Sequence, residues 1–234
     1  MATIFTAWQD VQKRIAKAAA ASQRESSAIT LLAVSKTFPS EAIRELYSNG
    51  QRSFGENYVQ ELIDKHAALT DCNELIWHFI GPLQSNKTRS VAELADWVHS
   101  IDRFKIAERL SAQRPEHLAA LNVCIQVNVS GEASKSGISP GECMLLATKI
   151  CQLPRIKLRG LMCIPEPTQD LTQLARQFTL LRNLQNQLIT AGVDLDTLSM
   201  GMSGDLETAI SEGSTLVRVG TALFGARSYP NISS

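Results

Sequence analysis

Apolar residues recur at spacings of three and four through residues 3–23, where Phe5, Trp8, Val11 and Ile15 share a face that Ala18 and Ala19 continue. That periodicity predicts an amphipathic helix. From residue 29 the pattern changes to short continuous apolar runs at 29–35, 53–57, 76–82, 97–101, 121–129, 157–164, 197–202 and 216–224, each ending in a polar or glycine-bearing corner. Helix-like stretches separate or follow them at 39–47, 58–69, 86–94, 103–113, 140–151, 171–191 and 205–211. Strands apolar on both faces and alternating with helices indicate a parallel sheet covered on both sides. Eight such units fit a closed (β/α)8 barrel of the TIM type better than an open doubly wound sheet, and the first run lacks the GxGxxG of a dinucleotide fold. No linker composition marks a boundary, so one domain is expected over 1–234: a helix and lead-in over 1–28, the barrel over 29–225 and a tail over 226–234.

Composition narrows the function classes. The chain is 44% hydrophobic and 20% charged, which argues against disorder, and its 23 basic and 23 acidic residues leave no net field to gather nucleic acid or an anionic membrane. Five cysteines without CxxC spacing read as reduced thiols. The N-terminus has no basic start followed by an apolar stretch, so a cytoplasmic location is expected, and the Asn-x-Ser matches at Asn128 and Asn231 read as chance.

In a barrel of this kind chemistry sits at the C-terminal ends of the strands. Lys36 ends an apolar strand, where burial disfavours the ammonium and makes a neutral amine available to a carbonyl; a lysine carrying its charge to the barrel mouth, or pairing with Glu56, is the structural counterpart. After strands seven and eight, Gly201, Ser203, Gly204, Gly220 and Thr221 suit a phosphate cradle or simple turns. Asp205 and Glu207 follow closely and would repel a phosphate placed too near. Arg218 lies between Val217 and Val219, so alternation points it away from both and toward the lumen, as a ligand contact or an ion-pair member. Asn57 and His78 at neighbouring strand ends read as satisfied core hydrogen-bonding groups.

Five phrases then come together: Leu31-Leu32-Ala33-Val34-Ser35-Lys36-Thr37, Phe54-Gly55-Glu56-Asn57-Tyr58-Val59-Gln60-Glu61, Trp77-His78-Phe79-Ile80-Gly81-Pro82-Leu83-Gln84-Ser85-Asn86-Lys87, Leu198-Ser199-Met200-Gly201-Met202-Ser203 and Val217-Arg218-Val219-Gly220-Thr221-Ala222-Leu223-Phe224-Gly225. In this order and spacing the chain closely resembles the pyridoxal phosphate homeostasis proteins over nearly its whole length. The resemblance implies a barrel like the alanine racemase N-terminal domain and pyridoxal 5'-phosphate as cofactor. It implies that Lys36 forms the internal aldimine, that Ser203, Gly220 and Thr221 hold the phosphate, and that Arg218 stands beside the pyridine nitrogen. Asn57, His78 and Met200 are then the walls around the ring. It further implies binding, sequestration and delivery of the cofactor to apoenzymes, without turnover; a self-contained barrel with no domain to share makes a monomer the expectation. A small racemase-type enzyme using Lys36 itself, or a rim residue such as His78 or Tyr229, as proton donor, and a Schiff-base aldolase without cofactor, are the competing functions.

Overall fold

The structure, a computed structural model, describes residues 3–132 and 136–225. Strands β1 (Thr30–Val34), β2 (Ser53–Glu56), β3 (Ile76–Phe79), β4 (Trp97–Ile101), β5 (Leu121–Gln126), β6 (Ile156–Met162), β7 (Thr197–Ser199) and β8 (Leu216–Val219) pair in parallel in chain order and close into a barrel. Closure sets Leu32 opposite Arg218, while Ala33 faces Phe54 on the other side of β1. Around it run α2 (Ser40–Ser48), α3 (Val59–Ala68), α4 (Thr88–Leu94), α5 (Phe104–Gln113), α6 (Cys143–Ile150), α7 (Leu171–Thr190), α8 (Leu206–Ser211) and the short α9 (Thr221–Phe224). The expected (β/α)8 architecture is present.

Several expected strands run long, among them 76–82, which ends as a strand at Phe79, and three of the ends have a clear local reason. The run at 197–202 stops pairing at Ser199 because Gly201 takes φ +96°, a left-handed turn that strand geometry does not allow. The run at 216–224 divides, because Leu223 and Phe224 donate back to the Gly220 carbonyl and wind α9 after β8. The run at 121–129 ends as a strand at Gln126: the Val127 N–H still donates to the Met162 carbonyl, but its bridge is to Ile138 outside the barrel strands.

The N-terminal helix α1 (Ile4–Ala21) is capped by Thr3, whose hydroxyl accepts the Thr6 N–H. It buries Val11, Ile15, Ala18 and Ala19 against α2, α8 and α9, which places its polar residues beside the loops that follow β7 and β8. Alternate strand residues face opposite ways. Phe54, Trp77, Phe79, Val98, Val217 and Val219 join the apolar layer shared with the helices. Fully burying one such side chain contributes roughly 1.5–3 kcal/mol. The other parity faces the lumen, where His99 on β4 hydrogen-bonds Ser199 on β7 across the barrel. The five cysteines are unpaired; burial pushes the Cys124 and Cys163 thiols up to about 12 and Cys143 to about 11. Among the described residues no helix is long and apolar enough to cross a membrane.

Candidate functional site

At the C-terminal ends of the strands, Lys36, Asn57, Ser203, Arg218, Gly220 and Thr221 converge on a cavity of about 220 Å³, with Gly204 at its edge and apolar walls from Val34, Ile80, Ile164 and Met202. Six of the eight residues named from sequence are therefore brought together.

Lys36 stands in the turn directly after β1, and the peptides on both sides of it are pinned from below. Lys65, on α3, donates from Nζ to the Ser35 carbonyl, to Glu56 Oε1 and to Glu61 Oε2, each at 2.8 Å. Glu61 Oε2 also accepts the Thr37 N–H at 2.7 Å, and Thr37 holds φ +68°, unusual for a branched residue. The Ser35 hydroxyl donates to Glu56 Oε1 at 2.6 Å. One buried lysine thus fixes the turn that presents another. Glu56 faces α3, and its ion-pair partner is Lys65. Burial pushes the Glu56 carboxyl up to about 7 against the pull of Lys65, whereas the hydrogen bonds from Lys65 and Thr37 hold Glu61 below the usual carboxylate range despite its partial burial.

Removing Lys65 should be costly because it strands Glu56, which is fully buried and whose Oε2 already has no hydrogen-bond partner. Lys65→Met is expected to lower unfolding free energy by about 3–5 kcal/mol, and Lys65→Met with Glu56→Leu to recover most of it. Urea unfolding of the two proteins checks this; equal losses in single and double variants would contradict it.

The cradle is built from two loops and α1. Only glycine fits at position 201, since a Cβ there would lie 2.6 Å from that of Ala209. At Gly220 a Cβ would press to 3.2 Å from the Val34 carbonyl oxygen, across the cavity wall. Ser203 Oγ accepts the Ala222 N–H at 3.3 Å, tying the β7 loop to the start of α9. Arg14 on α1 donates to the Ser203 carbonyl at 3.0 Å and, through Nε and Nη2, to the two Glu207 oxygens at 2.7 and 2.9 Å. Asp205 accepts the Met202 N–H. Both acids that threatened to repel an anion are engaged with the protein, and neither lines the cavity. Sequence reasoning missed Arg14 and Lys65: Arg14 meets Glu207 across 193 positions of chain.

Arg218 does face the lumen. Its Nη1 donates to the Ser199 carbonyl and hydroxyl at 2.7 and 2.9 Å, and Nη2 to the Cys163 carbonyl at 2.8 Å, so the guanidinium is fixed by three acceptors. Full burial pulls its pKa below the usual arginine value. His78 and Met200 lie apart from this cavity. His78 is deeper in the lumen, its Nδ1 2.9 Å from His99 Nε2, and it lines a second cavity at the opposite mouth. Met200, one step out of phase with lumen-facing Ser199, is fully buried in the apolar layer toward the helices; Met202 takes the wall position. Tyr229 and the expected 226–234 tail fall outside the described residues.

The profile of the family described as alanine racemase, N-terminal domain, matches residues 10–228. A pyridoxal phosphate homeostasis protein from Pseudomonas aeruginosa is 57% identical over 229 residues, 98% of each chain. Among solved structures, one described as an unknown protein from Bifidobacterium adolescentis superposes with a TM-score of 0.89 at 37% identity over 94% of each chain. PipY of Synechococcus elongatus, solved with pyridoxal phosphate bound, superposes with a TM-score of 0.80 at 40% identity over 92% of this chain and 100% of its own.

Proposed function

The chain belongs to the pyridoxal phosphate homeostasis proteins, barrels of the alanine racemase N-terminal domain type, and from that membership we infer that its upper cavity binds pyridoxal 5'-phosphate for storage and delivery. The observation that carries this reading is the convergence of Lys36, Arg218, Ser203 and Thr221 on one cavity whose lining includes no carboxylate.

The residues present fit that group. Two hydroxyls beside the close backbone of Gly220 are a donor set for a phosphate ester, while Lys36 offers an amine to the aldehyde and Arg218 a cation beside the ring. Asn57 Oδ1 is buried with no hydrogen-bond partner, and Asn57 lines the same cavity, so a donor from a bound ring would satisfy it. When bound, the cofactor supplies an aldehyde open to amine attack and a pyridine ring that withdraws electrons. Lys36 is the amine, held in place by the Lys65 network behind its turn. Ser203, Thr221 and the close backbone at Gly220 are the phosphate cradle, stiffened by Arg14. Replacing Ser203 by Ala and Thr221 by Val together is expected to weaken cofactor retention by at least about a hundredfold, since each hydroxyl bond to a charged phosphate contributes roughly 1.5–3 kcal/mol. Equilibrium dialysis checks it, and unchanged retention would rule this cradle out.

Arg218 favours a storage role over turnover. Arginine keeps its proton at neutral pH and so transfers none to a ring nitrogen, which leaves the ring a weak electron sink. Of the described proton donors that a racemase reading would use, His78 lines the opposite cavity and Lys36 alone lies at the upper one. The protein then acts as a monomeric single-domain carrier in the cytoplasm, handing cofactor to apoenzymes. The test is deuterium incorporation at the α-carbon of a panel of amino acids with the cofactor in excess. No exchange above that of the cofactor alone is expected; robust exchange by the wild type would make the protein an enzyme. An aldolase would carry no yellow cofactor at all.

A further inference from the structure

A (β/α)8 barrel ordinarily fills its lumen with branched apolar side chains. Here a file of polar groups crosses it. Arg218 Nη1 donates to Ser199 Oγ, Ser199 Oγ meets His99 Nδ1 at 2.8 Å, and His99 Nε2 meets His78 Nδ1 at 2.9 Å. The file ends on His78 Nε2, which is buried and has no hydrogen-bond partner, on a side chain only 2% exposed. His78 lines a second cavity, of about 350 Å³, bounded by the first residues of β1, β2, β3, β4, β7 and β8 and thus at the N-terminal mouth, opposite the Lys36 site.

We propose that this lower cavity is a second binding site, for a small uncharged hydroxylated molecule of the polyol or sugar class, which hydrogen-bonds His78 Nε2. Three observations select that class. The charged groups of the cavity cancel: Arg159 is bidentate on Asp196, with Nε at 3.0 Å from both oxygens, and its Nη1 donates to Asn122 at 2.9 Å. Neither an anion nor a cation finds an unbalanced counter-charge there. Trp97 is already engaged, stacked on His78 at 5.5 Å and carrying the Arg159 guanidinium 4.9 Å from its ring centre, so the wall presents hydroxyls from Ser27, Thr30 and Ser53 in place of an aromatic platform.

The third observation is the logic of the file itself. If the Ser199 proton points to His99, then His99 Nε2 donates to His78 Nδ1 and His78 Nε2, the unpartnered end of the file, carries a hydrogen. If His99 Nδ1 donates to Ser199 instead, the chain reverses and His78 Nε2 presents a lone pair. A hydroxyl both donates and accepts, so it satisfies either state. The volume lies at the small end of the range for small-molecule sites.

The test is a titration of the cofactor-loaded protein with myo-inositol and with glycerol, followed by ligand-observed NMR and by the ¹⁵N shifts of the His78 and His99 rings. Saturable binding of at least one polyol with a shift at His78 Nε2 is expected. Ser27→Trp, at the exposed rim, should weaken it at least tenfold while the visible spectrum at Lys36 stays unchanged, and His78→Phe should abolish it. Failure of both polyols to saturate, indicating that His78 meets water only, would overturn the site. So would equal affinity in Ser27→Trp. Tighter binding of inorganic phosphate than of either polyol at this mouth would overturn the class of ligand.

Discussion

Lys36→Ala is expected to lose the yellow cofactor band and the cofactor-sized mass that borohydride fixes on the peptide containing residue 36, while far-ultraviolet circular dichroism and the unfolding midpoint stay close to wild type. The side chain is half-buried at the barrel rim, and the backbone of its turn is held by Lys65 and Glu61 through the neighbouring peptides. Deleting the amine therefore leaves that scaffold in place. Loss of a covalent tether should lower retention by more than about tenfold, beyond what loss of one rim charge explains. Lys36→Arg separates the two causes, since it keeps the cation and removes the nucleophile. Retention lost in both variants supports the amine as the anchor. A band that survives in Lys36→Arg would reduce Lys36 to a counter-charge, and a mass still found on residue 36's peptide in Lys36→Ala would place the attachment elsewhere.

What the sequence disclosed and what it concealed divide along a physical line. The eight strands were legible because a parallel strand buried on both faces is apolar nearly throughout, and Leu31 to Val34 or Val123 to Ile125 admit few other readings. Arg218 was legible because parity is local: flanking valines face the helices, so the arginine faces in. The same parity rule, applied to Ser199, would have sent Met200 outward; Met202, which shares that parity, reaches the wall only because the strand ends at Ser199 and Gly201 turns the chain at φ +96°. His78 is a different case, because it has the lumen parity of Ile80 but lies two residues earlier in the chain, and parity fixes the side of the sheet without fixing depth along the barrel. Lys65, Glu61 and Arg14 were hidden for another reason. A lysine, a glutamate and an arginine on amphipathic helices look like solvated charges until closure of the barrel folds Lys65 under the Lys36 turn and lays α1 against the β7 loop.

The buried histidines carry the second large expectation, a stability that declines as the solution is acidified through pH 6.5. Full burial holds the His78 imidazole neutral down to about 3, and it holds His99 well below its ordinary value, with the charges of His78 and Arg218 adding to the effect. The unfolded chain takes up both protons near pH 6.5, so between 6.5 and about 3 it binds more protons than the native state and folding weakens as pH falls. Each imidazole contributes a slope of about 1.4 kcal/mol per pH unit. Glu56 works in the opposite sense, because its native carboxyl titrates near 7 and the native state binds the extra proton between 7 and 4.5. One carboxyl offsets one of two histidines, which leaves a net loss down to pH 4.5 and a steeper one below it. His78→Phe removes one imidazole, and although it starts less stable at pH 7 because His99 Nε2 loses its partner, its curve should be flatter. Between pH 6.5 and 4 the gap from wild type is expected to close by about 3 kcal/mol, read as unfolding free energy in urea at four or five pH values. Parallel curves for the two proteins would show that His78 is already protonated in the native lumen, and that the polar file from Arg218 to the lower cavity carries a charge.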